Sequence, residues 1–524
     1  MNIYKTYTLG LCLLLAGVCP LAAQQEKNTY NMDRLKADNP WIGSSNASGL
    51  VLNRFNDFST AEVGFQYDEG GYRNVADPTS AFNTKVNAES FRHIKRVFFY
   101  GNFNFDYINR QNKTWSSILN PYGTPFYVAD SVPGIQTLES YRLEGGVSTT
   151  LGEHWGIGGM VRYLTASNAK KKDVRNRNTY MEFEIYPGIL YRSKNINAGA
   201  NFIYQRMTEK MENTLHGEGR NHDVFYFEGL WFYTTITTAS NYSETRQYQN
   251  DGYGAAAQIE VKGGNIRFFN QFSGVKTDQI VWINHVTNQR GGETEKTSYR
   301  YDGALHIDGS DFHHVIKGNA AFEKRLGYEN LQRYESVDNY NTWVQYGKKN
   351  KNTRDITSYG LTYTLFKDRK TLENNWNVIL GVNRYEEENE YRLYPVNYAQ
   401  TWENTVVHGA FNKNFRVKKG MVDAGIYGAY TLGDGTMLSI TSESAGVSGE
   451  DLFPQRREQL EREFEYFTAD RLAGRLHLRY THFLNTDKGM NLYADVEAGM
   501  ESPSKGYFKQ ENRSSFKVML GFSF

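Results

Sequence analysis

The sequence predicts an all-β protein, namely a closed antiparallel transmembrane β-barrel of about 18 strands, with 16 as the alternative. Three observations predict this fold. Hydrophobic residues recur at every second position along much of the chain, the connections between these segments alternate between short and long, and the chain ends on an aromatic strand. A period of two gives each strand one apolar face and one polar or small face.

The last segment, residues 514–524, carries the clearest alternation. Its apolar positions are Phe516, Val518, Leu520, Phe522 and Phe524. A soluble β-sandwich could also end on such a strand. The segment resembles the closing strand of bacterial outer-membrane barrels, in which a terminal Phe is part of the signal for the insertion machinery. The resemblance implies that Phe524 serves as this signal.

Residues 1–23 predict a secretory signal peptide. Lys5 precedes an apolar run over 9–18, which is too short to span a bilayer as an anchor. Cys12 and Cys19 lie in this segment, so we expect a mature chain without thiols, disulfides or cysteine metal ligands.

Charge and hydropathy exclude several classes of protein. Once Lys5 is removed, 58 basic and 58 acidic residues remain, so nothing indicates nucleic-acid binding. After residue 23 no stretch approaches 18 apolar residues, which excludes a helical membrane protein. One mostly charged segment, 455–467, is the only candidate helix.

The strand-like segments are joined by connections of two kinds. Short polar turns are predicted near 93–96, 151–154, 193–195, 262–264, 308–312, 367–374, 413–420 and 485–489. Long connections are predicted near 69–83, 109–139, 167–178, 208–251, 277–296, 328–353, 388–399, 431–471 and 503–512. Outer-membrane barrels have short periplasmic turns and long extracellular loops, and this order places Phe524 on the short-turn side.

Eight short-turn hairpins, an opening strand near 60–67 and the closing strand make 18. Because lipid offers no partner to backbone N–H and C=O groups, the first and last strands must pair. The predicted organisation is a signal peptide over 1–23, a polar periplasmic segment over 24–58 and a barrel over 59–524. The periplasmic segment is too short for the plug domain of TonB-dependent receptors.

One charged set is predicted to line the lumen near the closure. If the last short turn is centred on Asp487, Arg479 faces Asp495 and His477 faces Glu497. Opposite charges across a strand pair stabilise by roughly 0.2–1 kcal/mol. We call the set the seam ladder, and it serves either as structural support of the wall or as a selectivity element. Its members are Arg475, His477, Arg479, Asp495 and Glu497.

No catalytic, cofactor or metal constellation stands out, so we expect a protein that is not an enzyme. His313 and His314 are neighbours on a strand and point to opposite faces, which disfavours joint metal binding. Glycines over 156–159 lie inside strand patterns and predict a close-packed wall instead of a phosphate loop.

The long connection 208–251 is rich in aromatic residues, including Phe225, Phe227 and Trp231. Such a segment would be a liability if it were exposed. It folds into the lumen, caps the barrel or docks a partner, and the run 225–235 could also hide another strand pair.

Residues 37–74 carry the pattern NPW…GL…FS…E.GF.Y. This stretch and the barrel after it resemble an uncharacterised, porin-like family of outer-membrane β-barrel proteins in Bacteroidota. The resemblance implies an outer-membrane location and, loosely, nutrient uptake, but no substrate or site. The expected function is a passive channel; the alternative is a non-conducting scaffold or receptor with an envelope partner protein. The other expected partners are outer-membrane lipid, lipopolysaccharide and the barrel insertion machinery.

Overall fold

The computed structural model describes residues 32–53, 57–217, 220–239, 242–337, 340–370, 373–444, 446–447, 449, 457–485 and 489–524. The predicted signal peptide, with Cys12 and Cys19, lies outside the described residues. So does Asp487, the predicted centre of the last turn.

Within these residues, eighteen strands form one sheet and three form a second, smaller sheet. The wall strands are β1 (Phe58–Gly70), β2 (Ser80–Ile94), β3 (Val97–Lys113), β5 (Gly134–Leu151), β6 (Trp155–Lys170), β7 (Arg175–Arg192), β8 (Ile196–Thr214), β11 (Ser243–Gly263), β12 (Ile266–Asn284), β13 (Gln289–Asp308), β14 (His313–Val337), β15 (Tyr340–Lys370), β16 (Glu373–Leu393), β17 (Val396–Val417), β18 (Gly420–Ser442), β19 (Arg471–Asn485), β20 (Met490–Pro503) and β21 (Arg513–Ser523). The small sheet contains β4 (Val128–Asp130), β9 (His222–Gly229) and β10 (Phe232–Thr238).

Among the described residues, two α-helices accompany the strands, α1 (Met32–Asp38) and α2 (Arg457–Thr468). Short 3-10 helices cover Ala47–Leu52 and Pro121–Gly123. No helix in the described ranges is long and apolar enough to cross a membrane. The predicted helix over 455–467 is therefore found as α2, and its first two predicted positions lie outside the described residues.

The sheet closes on itself. Each wall strand pairs antiparallel with the next wall strand, and β1 pairs with both β2 and β21, from Thr60 opposite Ser523 to Gly70 opposite Arg513. The backbone of Phe524 adds two hydrogen bonds to Ser59, of 2.8 and 3.0 Å. The predicted closed antiparallel barrel of 18 strands is confirmed.

The outer face of the wall is apolar. On β1, Val63 and Phe65 are 47% and 51% exposed, and on β19 Leu476 and Leu478 are 61% and 52% exposed. Large apolar side chains point outward in the same way on the other wall strands. A closed barrel satisfies its backbone internally, and an apolar exterior requires lipid around it. The protein lies in the outer membrane, with its short turns at the periplasmic end.

Three long connections differ from the expected loops, because they are built mostly as strand. The connections over 277–296, 328–353 and 388–399 continue the hairpins β12–β13, β14–β15 and β16–β17 as paired strands, and the last pairs are Asn284–Gln289, Val337–Tyr340 and Leu393–Val396. Beyond the membrane both faces of a strand meet water, so the hydrophobic alternation fades while backbone pairing continues.

Candidate functional site

The lumen is occupied at its periplasmic end by residues 32–53, which we call the plug. Leu35 and Trp41 of this segment are almost fully buried. The 3-10 helix lies against β3, β5, β6 and β7, within a few residues of their short turns. The sequence predicted a periplasmic segment here; the structure adds that residues 32–53 lie inside the barrel mouth.

Amide side chains join the plug to the wall. Asn46 Nδ2 donates to Gln258 Oε1 at 2.9 Å and to the carbonyl oxygen of Ile189 at 3.0 Å, while Asn46 Oδ1 accepts from the Ser48 backbone N–H at 3.1 Å. Trp41 Nε1 donates to Glu260 Oε2 at 3.0 Å. One asparagine thus caps the 3-10 helix and also binds two wall strands.

Ion pairs hold α1, the first element of the plug, against the wall. Arg34 forms a two-point pair with Asp368, with an Nη2–Oδ2 distance of 2.6 Å, and Arg267 Nη2 lies 3.2 Å from Asp38 Oδ1. Lys36 Nζ lies 2.6 Å from Glu89 Oε1. These contacts run from β2 to β15, so the plug reaches across a wide part of the lumen.

Glycines on the inner face of the wall make room for the plug. A Cβ atom at Gly158 would lie 2.7 Å from the Ser48 nitrogen, and one at Gly188 would lie 2.2 Å from Asn46 Oδ1. Neither distance is tolerated, so only glycine permits this approach. The glycine run over 156–159 is part of the wall, as its strand pattern predicted, and its inward members face the plug.

The extracellular mouth is filled by the small sheet and α2, which together we call the cap. Phe232 of β10 stacks on Tyr391 with ring centres 4.1 Å apart and lies 4.7 Å from the ring of Tyr398. Both tyrosines come from wall strands and are buried. Of the three outcomes foreseen for the aromatic connection, the structure shows the first two together, because the connection folds into the mouth of the lumen and thereby caps the barrel. The run 225–235 forms the β9–β10 hairpin instead of a wall pair.

Charged groups lie beneath the aromatic part of the cap. Arg354 binds Glu387 through two hydrogen bonds of 2.7 and 2.8 Å. Trp231 Nε1 of the β9–β10 turn donates to Glu463 of α2. Burial raises the pKa of Glu463 to about 7, since a carboxylate loses hydration there.

The seam ladder lies on the inner wall of β19 and β20. In the pairing register Arg479 stands opposite Asp495, and His477 stands opposite Glu497. Arg479 Nε and His477 Nε2 both contact Asp495 Oδ2, at 2.8 and 2.9 Å. Arg475 Nε lies 3.5 Å from Glu497 Oε1, so two of the contacts are diagonal. The role of the ladder, like that of Phe524 in insertion, stays a prediction.

His313 and His314 point to opposite faces of β14, as expected for neighbours on a strand. His313 Nε2 lies 3.4 Å from His306 Nδ1 inside the wall, whereas His314 Nδ1 lies 2.9 Å from the Tyr363 hydroxyl. In the part of the chain that the structure describes, no group of three or more His, Cys, Asp or Glu side chains is placed to hold a metal.

Sequence reasoning did not place the plug residues in the lumen. The signal that could have found them is a set of glycines on three adjacent strands, all at inward positions. These are Gly156, Gly158, Gly188 and Gly199.

Residues 47–524 match a family of unknown function (DUF6850). No curated protein matches the chain. Among solved structures, the outer membrane transporter YddB from Escherichia coli is similar at 8% identity and a TM-score of 0.40, over 90% of this chain and 81% of that chain. The RagAB peptide transporter is similar at 6% identity and a TM-score of 0.41, over 89% and 86%. BauA, the ferric preacinetobactin receptor from Acinetobacter baumannii, is similar at 5% identity and a TM-score of 0.39, over 90% and 80%.

Proposed function

We propose that this chain, which belongs to the family of unknown function DUF6850, is an outer-membrane receptor that stays closed at rest and opens for uptake. The observation that carries the proposal is that plug and cap fill opposite mouths of one lumen. A lumen obstructed at both ends supports a gated receptor over a permanently open pore. The proposal also includes three expectations from the sequence. These are an origin in Bacteroidota, a porin-like character of the family and the lack of enzymatic activity.

The plug is suited to be the moving part. Its contacts with the wall combine hydrogen bonds and ion pairs, such as those of Asn46 and Arg34, with apolar packing of Trp41 and Leu50. Each hydrogen bond contributes a net of about 0.5–1.5 kcal/mol, because water replaces the partner when the contact breaks. Movement of the plug therefore costs little in its polar contacts, and its buried apolar side chains set the remaining resistance.

A passive channel is the second candidate function, and the seam ladder favours it. The side chain of Arg475 is 53% exposed although it lies on the inner wall. Solvent therefore reaches the lumen at the seam, where charged groups could select ions.

Single-channel recording in planar bilayers tests the proposal. The unmodified protein is expected to show long closed periods, and a variant lacking both residues 32–53 and the β9–β10 hairpin, residues 222–238, is expected to show steady conductance steps. The matched control is Val286→Ser, at a fully exposed extracellular position, which is expected to behave like the unmodified protein.

Steady open steps in the unmodified protein would overturn the closed receptor and support the passive channel. Silence of this double deletion, with the strand content of the wall intact by circular dichroism, would remove the plug and the cap as the barriers to passage. The envelope partner protein, lipopolysaccharide and the insertion machinery stay predicted partners, which crosslinking in intact membranes can identify.

A further inference from the structure

The small sheet of the cap has two edges that differ in how the chain treats them. Its strand order is β4, β9, β10, so β4 and β10 form the edges. On the outer side of β4, the Trp115 N–H donates to the Asp130 carbonyl oxygen at 2.9 Å. The Ser117 N–H likewise donates to the Val128 carbonyl oxygen at 3.2 Å. The chain therefore covers this edge itself, as native proteins commonly do.

The outer side of β10 is not covered by any strand or helix in the part of the chain that the structure describes. Among these residues, β9 is the only strand that pairs with β10. Residues 234–237, which we call the β10 edge, are exposed, and Ile236 is 49% exposed. The β10 edge contains three threonines and one isoleucine. It has no Lys or Pro, the residues that often protect an edge from further pairing.

The pairing pattern identifies the backbone groups that face outward. The Phe227 N–H donates to the Tyr127 carbonyl oxygen at 2.8 Å, so the backbone groups of Phe227 point away from β10. In an antiparallel pair, successive residues direct these groups to alternate sides. Phe225 therefore points the same way as Phe227, and its partner Thr235 directs its N–H and C=O away from β9. Thr237, two residues further along, does the same.

We propose that the β10 edge binds an extended peptide as a fourth strand of the cap sheet, an inference that rests on the proposed receptor function and names its substrate class. Thr235 and Thr237 each offer one N–H and one C=O, about 6.8 Å apart along the strand, which is the repeat of an extended peptide. Strand addition draws its affinity from the main chain. Because the β10 edge carries no charge, recognition tolerates many peptide sequences.

The position of the β10 edge selects a free peptide as its occupant. Phe232, at the start of β10, is buried against Tyr391 and Tyr398 of the wall, and the wall strand β11 begins at Ser243, shortly after β10 ends. The strand thus lies within the mouth of the barrel. One extended chain occupies only about 4.8 Å beside a strand. A folded domain or the rim of a second barrel is much wider than this.

Fluorescence anisotropy of the detergent-purified full chain tests this site. The probe is the labelled octapeptide KTVTVTVK, and its partner probe is the same peptide N-methylated at every valine and threonine. The first is expected to bind saturably. The second is expected not to bind, because it has lost the N–H groups that strand pairing needs.

Thr235→Pro removes one outward N–H and leaves the hydrogen bonds between β9 and β10 in place. It is expected to weaken binding of the first peptide by about tenfold, the effect of about one backbone hydrogen bond. Thr235→Val is the matched control, since it changes the side chain and keeps the N–H. It is expected to bind as the unmodified protein does.

Absence of saturable binding by the unmodified protein overturns the site. So does equal binding by Thr235→Pro while the β9–β10 hairpin stays protected in hydrogen exchange. Equal binding of the N-methylated peptide overturns strand addition, also where Thr235→Pro loosens the hairpin. A dimer of the unmodified protein that Thr235→Pro dissociates, without peptide binding, would make a second copy the occupant.

The site and the proposed function can fail separately. Anisotropy measures binding without flux, so loss of the peptide site leaves the conductance test of the closed receptor unaffected. Steady open steps in the unmodified protein, together with saturable peptide binding, would instead overturn the closed receptor and keep the β10 edge as a peptide site.

Discussion

The plug and the cap obstruct the same lumen with different mixtures of polar and apolar contacts. The plug meets the wall through amides and ion pairs, as at Asn46 and Arg34, and through the apolar side chains of Trp41 and Leu50, and it fits against inward glycines. The cap meets the wall through stacked aromatic rings, as at Phe232 and Tyr391.

This difference predicts different ease of movement. Polar contacts exchange for water with a small net change in free energy, whereas buried rings lose about 25 cal/mol for each Å² that returns to water. The polar part of its contacts should therefore let the plug open more readily than the cap, with Trp41 and Leu50 setting most of the remaining resistance. A ligand that reaches the lumen from outside must first loosen the cap.

The largest expected effect is on the cap. Phe232→Ala removes a ring that is buried against Tyr391 and Tyr398, so we expect the local free energy of unfolding to fall by about 3–5 kcal/mol. Hydrogen exchange of the β9–β10 hairpin measures this loss as faster exchange.

Tyr340→Ala is the control for the cap, because this ring is 78% exposed on the neighbouring hairpin tip and its removal should change stability little. Unchanged exchange in the Phe232 variant would contradict the idea that ring burial fixes the cap. The difference in contact chemistry between the cap and the plug would then no longer explain how easily each of them moves.

A smaller effect is expected in the plug. Asn46→Ala loses the helix cap and the bonds to Gln258 and Ile189, which together contribute about 1–3 kcal/mol. Val51→Cys supplies a buried reporter thiol in the plug, and Cys12 and Cys19 both lie in the predicted signal peptide. Maleimide labelling should accelerate by about tenfold for each 1.4 kcal/mol lost.

Asn265→Ala is the control for the plug, since Asn265 lies exposed in a short turn at the same end and, among described residues, its side chain donates only to the Asp308 carbonyl oxygen. It should leave the labelling rate unchanged. Equal labelling in the Asn46 variant would mean that the polar contacts do not hold the plug, and a movable plug would lose its physical basis.

The wall could be predicted from sequence because its signal is local. Alternation such as that of Val63 and Phe65 follows directly from the pleat of a strand with one face in lipid. Closure followed from the need to pair every backbone group, and the pairing of Arg479 with Asp495 followed from turn position alone.

The interior of the barrel could not be predicted in the same way. Val128–Asp130 pairs with residues 224–226, and no local period encodes a contact across so much chain. The plug is short and its apolar residues follow no period, so its sequence gives no signal of a packed element. In the sequence, only the inward glycines, such as Gly158 and Gly188, indicate that another segment lies against the wall.

The smallest expected effect is at the seam ladder, which belongs to neither obstruction. Arg479→Gln removes one side-chain pair on the inner wall and should lower the free energy of unfolding by roughly 0.2–1 kcal/mol. In a variant that lacks both residues 32–53 and the β9–β10 hairpin, the same substitution should shift the reversal potential toward cation selectivity, because a fixed positive charge is lost from an open lumen. Arg479→Lys keeps the charge and should restore the original potential. An unchanged reversal potential in Arg479→Gln would leave the ladder as wall support, and would confine the control of passage to the plug and the cap.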